Sequence, residues 1–170
     1  MAVQTHLDEL INYSSQIITK LMNSPEVVGL MMDVSPADVT EEDMERAREH
    51  MYDYDYIDET VQTAGAYIMV DVDMVAAPTG TIKDVEAYVQ IVVSKTYMKL
   101  NNKKFKGMRG NRRDNLARQI DLLINGSRDF GIGKLLLVTA RTANVPAAFS
   151  SKLLTYRAAD FAKNRAVENG

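Results

Sequence analysis

The sequence predicts an α+β fold, an antiparallel sheet with a long hairpin and helices packed on one face. Three observations lead there. Apolar residues recur at helical spacing near the start of the chain and again after residue 111. Two long stretches alternate in strand fashion on either side of the turn-rich AAPTGT, and two shorter apolar stretches near the end have the length of strands.

In chain order, Leu7, Leu10, Ile11, Ser14, Ile17, Ile18 and Leu21 line one face of a helix over about 5–23, with Thr5 as N-cap and Asp8 at the capping-box position. Ser24-Pro25 starts a short helix to about Met32, because proline suits a first turn, and Val34-Ser35-Pro36 breaks it. Thr40, followed by Glu41, Glu42 and Asp43, caps a third helix over 41–51. Tyr52, Tyr54 and Tyr56 then alternate with Asp53 and Asp55, a strand pattern with rings on one face and acids on the other. The hairpin pairs Ala66–Val75 with Val85–Leu100. Asn111 caps the clearest helix, with Asp114 at N3, a stripe of Leu116, Ile120, Leu123 and Ile124, and a stop at Asn125-Gly126. A buried strand over Lys134–Arg141, a loop over about 142–150 and a strand around Leu153–Phe161 complete the sheet. The expected organisation is one domain over 1–170: a helical, acidic region to residue 60, an α+β core over 61–162, and a frayed tail over 163–170.

Charge divides the chain in two. Residues 1–90 hold eighteen Asp and Glu against four Lys and Arg, whereas residues 91–170 hold sixteen Lys and Arg against five Asp and Glu, and the total of −3 hides the split. Oppositely charged halves suit surfaces that bind between copies, or that turn one sign to a partner and the other to a pore. There is no cysteine, so disulfides and thiolate metal sites are excluded. The two histidines, His6 and His50, are far apart in sequence and read as surface residues with no metal to hold. Apolar stretches such as AYIMV and LLLV fall short of the about 20 residues that cross a bilayer, and the first residues lack a signal-peptide pattern, so a soluble cytosolic product is expected.

Three constellations bear on chemistry. Asp71, Asp73 and Glu86 on neighbouring strands could gather around Mg²⁺ for phosphodiester cleavage, although alternating acids are also what a solvated strand face looks like. Gly131, Gly133 and Lys134 sit between a helix and a strand, the reverse of the order a phosphate-cradling loop needs, and read as a turn. Lys99, Lys103, Lys104, Lys106, Arg109, Arg112, Arg113 and Arg118 form the densest basic run. It suits docking on an acidic surface of a neighbouring subunit or partner, a solvated loop, or nucleic-acid phosphates; a stacking platform is not indicated, with Phe105 the one aromatic in the loop. No nucleophile has a base beside it and no cofactor motif is present.

The run of elements VEAYVQIVVSK, basic loop, NRRDNLARQIDLLING, FGIGKL, LLLVTA and a closing strand with Leu153-Leu154-Thr155-Tyr156 and Asp160 resembles the tail terminator, or tail completion, proteins of tailed bacteriophages over about 61–162. The resemblance is one of element order, without a catalytic motif, and the acidic stretch Asp33–Glu59 is longer than is usual in that family. It implies a structural virion protein of the tail or neck, assembled in the host cytoplasm, with no enzymatic activity and no cofactor. It implies a hexameric ring that ends tail-tube growth, meets the tail tube protein and the head-completion or connector proteins, and lets DNA pass without sequence readout. On that expectation Lys103, Lys104, Lys106, Arg109, Arg112 and Arg113 dock on a neighbour's acidic surface, with Asp53, Asp55, Asp58 and Glu59 as its candidate partner. The expectation from another class is a nucleic-acid-binding protein or Mg²⁺-dependent nuclease built on Asp71, Asp73 and Glu86.

Overall fold

A computed structural model describes residues 6–57, 63–76 and 82–158. Four helices, α1 (His6–Met22), α2 (Pro25–Met32), α3 (Glu41–Arg48) and α4 (Arg112–Ile124), accompany five strands: β1 (Met51–Tyr52), β2 (Ala66–Ala76), β3 (Ile82–Ser94), β4 (Leu135–Arg141) and β5 (Phe149–Ala158). The sheet order is β1-β2-β3-β5-β4, antiparallel throughout except for the parallel pair β1/β2. The expected α+β class and its long hairpin are therefore present.

Alternation places the core. Ile68, Val70 and Val72 on β2, Val85, Ala87, Val89 and Ile91 on β3, and Leu154 and Tyr156 on β5 point to one face and are buried with Ile17 and Leu21 of α1, Leu30 of α2 and Leu116, Ile120 and Ile124 of α4. The other face carries a smaller cluster of Tyr67, Met69, Val92 and Phe149. α2 is apolar nearly all round because it lies inside this layer, with Val27, Val28, Gly29, Leu30 and Met31 all buried. Ser24 Oγ accepts the Val27 amide at its start, and Asp33, in the left-handed region at φ 57°, caps its end. Asn111 Oδ1 caps α4 through the Asp114 amide at 2.9 Å, as the spacing predicts.

Several expectations give way. α3 stops at Arg48 because the chain turns at once into β1, and the tyrosine segment is a strand only at Met51–Tyr52 before it bends off the sheet. β3 ends at Ser94, where a short 3-10 turn over Lys95–Tyr97 replaces the expected continuation to Leu100. Leu7 and Ile11 are each 65% exposed, so α1 buries only the stripe centred on Ser14, Ile17 and Leu21. The strand at 135–141 is buried only at its start, where Leu135 enters the core; it is an edge strand, and Val138–Arg141 are exposed. His50 is half-buried, its ring stacked on Tyr67 at 4.7 Å and its Nδ1 hydrogen-bonded with the Ala66 carbonyl at 3.2 Å. No helix among the described residues is long and apolar enough to cross a membrane.

Candidate functional site

The basic segment between the 3-10 turn and α4 is pinned rather than free. Phe105 is buried in the core, and Asn115 Nδ2 donates to the Arg109 carbonyl at 2.8 Å from within α4. At its centre stands Arg112, 2% exposed. Its Nε donates to the Tyr97 carbonyl at 2.8 Å, Nη1 to the Leu30 carbonyl, and Nη2 to Asp33 Oδ1 at 2.7 Å. The guanidinium also lies over the Tyr97 ring, 4.0 Å from its centroid. A buried charge is tolerated only when its donors are all answered, and this one is. Lys104 joins it, Nζ donating to Asp33 Oδ2 at 2.7 Å and to the Asp33 carbonyl at 2.6 Å. Burial pushes the Asp33 carboxyl up, but the hydrogen bonds and charges of Lys104 and Arg112 outweigh it and hold the group below the usual carboxylate value.

Arg113 also works within the chain. Its Nη1 donates to Ser150 Oγ at 2.7 Å and its Nε to Asp114 Oδ1 at 3.0 Å, which ties the start of α4 to the start of β5, with Lys152 on the same carboxylate at 3.2 Å. Of the six cations expected to face a neighbour, Arg112 is therefore enclosed, and Lys104 and Arg113 already have partners. Lys103, Lys106 and Arg109 are exposed and make no ion pair among the described residues.

On the acidic side, Asp53 and Asp55 are exposed, while Asp58 and Glu59 lie outside the described residues. Asp55 borders a recess of about 190 Å³ on the helix-free face, walled by Tyr54, Met69, Tyr88 and Leu153, with Asp71 at its rim. Beside it the tyrosines gather with only Tyr52 in a strand: Tyr52 stacks on Tyr56 at 4.1 Å and meets Tyr54 edge-on at 5.5 Å. Burial, then the neighbouring Tyr56 hydroxyl, pushes the Tyr52 phenol up to about 12.

The acids considered for Mg²⁺ are held apart in role. Asp73 pairs with Glu86 across β2 and β3, and Asp71 pairs with Tyr88. Glu86, however, accepts the Tyr88 hydroxyl and is ion-paired with Arg157, which lowers its pKa. Among the described residues no group of three His, Asp or Glu side chains is placed to hold a metal ion. The glycines of the α4–β4 connection, Gly131 and Gly133, take positive φ in a turn that buries Phe130 and Ile132.

A family model, YomW, matches residues 15–158. The chain belongs to the YomW family. The matched stretch runs from the middle of α1 to the end of β5, and so takes in the Asp33–Arg112 junction, the exposed cations and the whole described sheet. The YomW name marks it as a phage-associated protein. No curated protein matches the chain.

Two features of the site had no local signal in the sequence. Asp33 and Arg112 are separated by 79 positions, and the C-cap residue of a short helix gives no hint that it receives a distant guanidinium. The open sheet edges depend on strand order, which periodicity does not report.

Proposed function

We propose that this YomW-family chain is a structural protein of a phage neck, a tail terminator or tail completion protein that forms a hexameric ring between tail tube and head connector and performs no catalysis. The observation that carries the reading is the division between used and unused charge. Asp33, Lys104, Arg112 and Arg113 hold the chain's own elements together, whereas Lys103, Lys106 and Arg109 on one pinned loop, and Asp53 and Asp55 elsewhere, are exposed. Fixed, complementary, solvent-facing charges steer and register an association between copies or with neck partners. Membership of a phage-associated family agrees with that reading.

The test reverses Lys103, Lys106 and Arg109 to Glu and leaves Lys104 and Arg112 intact, because those two belong to the fold. Light scattering after size exclusion and negative-stain microscopy of the unaltered protein are expected to give a ring of 19.0 kDa subunits. The triple variant is expected to remain folded by circular dichroism and to fail to assemble, alone or on tails. A triple variant that assembles normally removes the docking role of the loop, and a wild-type protein that never leaves the monomer removes the ring.

A further inference from the structure

We infer that the recess on the helix-free face is a socket for a cationic side chain, and that its occupant is Arg109 of a second copy of this chain. The inference rests on the ring reading and names the contact between neighbours within it.

The recess is built on two levels of the sheet. Met69 and Gln90 pair across β2 and β3 with Leu153 beyond them on β5, and Asp71 and Tyr88 form the next pair on the same face. Tyr54 and Asp55 close it from the segment that leaves β1. Both rings are held in place by their own chain. Tyr54 packs edge-on against Tyr52 and Tyr56, and the Tyr88 hydroxyl donates to Glu86, whose other oxygen accepts from Arg157. At about 190 Å³ the space is smaller than the roughly 300–1,000 Å³ of small-molecule sites, and suits one side chain.

The lining selects a cation. Asp55 and Asp71 are exposed, and neither has an ion pair among the described residues. Asp71 Oδ1 accepts the adjacent Val72 amide at 2.8 Å, which orients the carboxylate. The two other arginines of this face do not answer these acids: Arg157 is paired with Glu86, and Arg141 lies on β4, three strands from Asp71. No cation of the described residues lies over the Tyr54 or Tyr88 ring. Tyrosine beside a carboxylate favours guanidinium above ammonium, because guanidinium stacks on the ring and its fork fits the carboxylate. The chain uses the same pairing internally, where Arg112 lies over Tyr97 with Nη2 on Asp33.

Charge and placement select a second copy. Of the three exposed loop cations, Arg109 is the arginine, and its backbone is fixed: Asn115 Nδ2 donates to its carbonyl at 2.8 Å, between Gly107 and Gly110 at φ 79° and 84°. The loop belongs to the helix layer, where Phe105 enters the core and Lys104 holds the end of α2. The recess lies on the other side of the sheet, so contact between the two is made between copies. Lys103 and Lys106 beside Arg109 steer the loop toward the acidic rim. Because the two patches differ, the contact is head-to-tail, and such a contact closes as a ring when the rotation permits.

Mixing two variants tests it. Arg109→Ala removes the guanidinium and leaves the recess, whereas Tyr54→Leu combined with Asp71→Asn alters the recess and leaves Arg109. Asparagine keeps an oxygen for the Val72 amide, and Tyr54 is 56% exposed, so both proteins are expected to match the wild type in circular dichroism. Each alone is expected to raise the dissociation constant for self-association about tenfold or more in analytical ultracentrifugation. Mixed in equal amounts, they are expected to regain one intact contact and stop at a one-to-one dimer. Arg109→Lys is expected to weaken assembly less than Arg109→Ala, because an ammonium still meets the acids. A wild-type protein that stays monomeric overturns both the ring and this contact. An assembled wild type whose variants assemble unchanged, or whose variant mixture forms no dimer, leaves the ring and removes Arg109 from the recess.

Discussion

Arg112 shows how one side chain can convert a charge excess into structure. Its donors reach the last turn of α2, the Asp33 cap and the 3-10 turn, so three segments distant in sequence are fixed by one guanidinium. Replacing it with Leu strands the Leu30 carbonyl and takes away the buried partner of Asp33. We predict a loss of about 3–5 kcal/mol, read from urea unfolding at neutral pH. Lys104→Ala removes a partly exposed partner of the same carboxylate and should cost about 0.5 kcal/mol. Acid provides the control. The folded-state pKa of Asp33 lies below its ordinary 3.8, so the unfolded chain binds its proton first, and the carboxylate's contribution is present above that value and lost as the pH falls through the lowered one. The difference between wild type and Arg112→Leu should therefore shrink on acidification from pH 7 to about pH 3. A gap that stays constant over that range would mean that packing around the side chain, and not the ion pair, sets the cost.

At the scale of elements, α2 is the most constrained piece, since the chain crosses back over it at residues 34–36. A Cβ at Gly29 would sit 2.6 Å from the Val34 carbonyl oxygen, held there because the Val34 amide donates to the Gly29 carbonyl at 3.0 Å. Gly29→Ala, which ordinarily favours a helix, should here destabilise by about 1–3 kcal/mol, visible as a lower thermal midpoint with little change in helix content. A rise in the midpoint would show that residues 34–36 give way easily. The sequence made the helices and the hairpin readable because caps and periodicity are local: Ser24-Pro25, Thr40 with Asp43, and Asn111 with Asp114 all mark true starts. It misled where a long-range partner decides. Tyr52, Tyr54 and Tyr56 alternate like a strand, but stacking on one another and on the Tyr67 side of the sheet draws them into a cluster, and only Tyr52 keeps a strand partner. The apolar run Leu135–Val138 reads as buried, yet strand order sets it at an edge. Of the basic run, spacing alone could not tell Arg112, locked under Tyr97, from Lys103 and Arg109 in solvent, because their difference lies in what α2 brings beside them.

At the scale of the molecule, the division of charge between the halves is only partly resolved within one copy. Asp33 with Lys104 and Arg112, and Glu86 with Arg157, join the acidic first half to the basic second. Lys103, Lys106, Arg109 and Arg141 on the basic side, and Asp53, Asp55, Asp71 and Asp73 on the acidic side, remain exposed. The exposed apolar residues Leu7, Ile11 and Leu122 offer a competing basis for association, and salt separates the two. Exposed charges more than a Debye length apart, about 10 Å at 0.1 M and about 3 Å at 1 M, cease to feel each other, whereas apolar burial strengthens or holds as salt rises. If the complementary charges drive assembly, sedimentation velocity should show the oligomer weakening by about tenfold between low salt and 1 M sodium chloride, a change of about 1.4 kcal/mol. The thermal midpoint of the fold should move little, because Arg112 and its partners are enclosed and weakly screened. Assembly that tightens with salt would place the contact on α1 and α4 instead, and the exposed cations would then serve only to keep the surface hydrated.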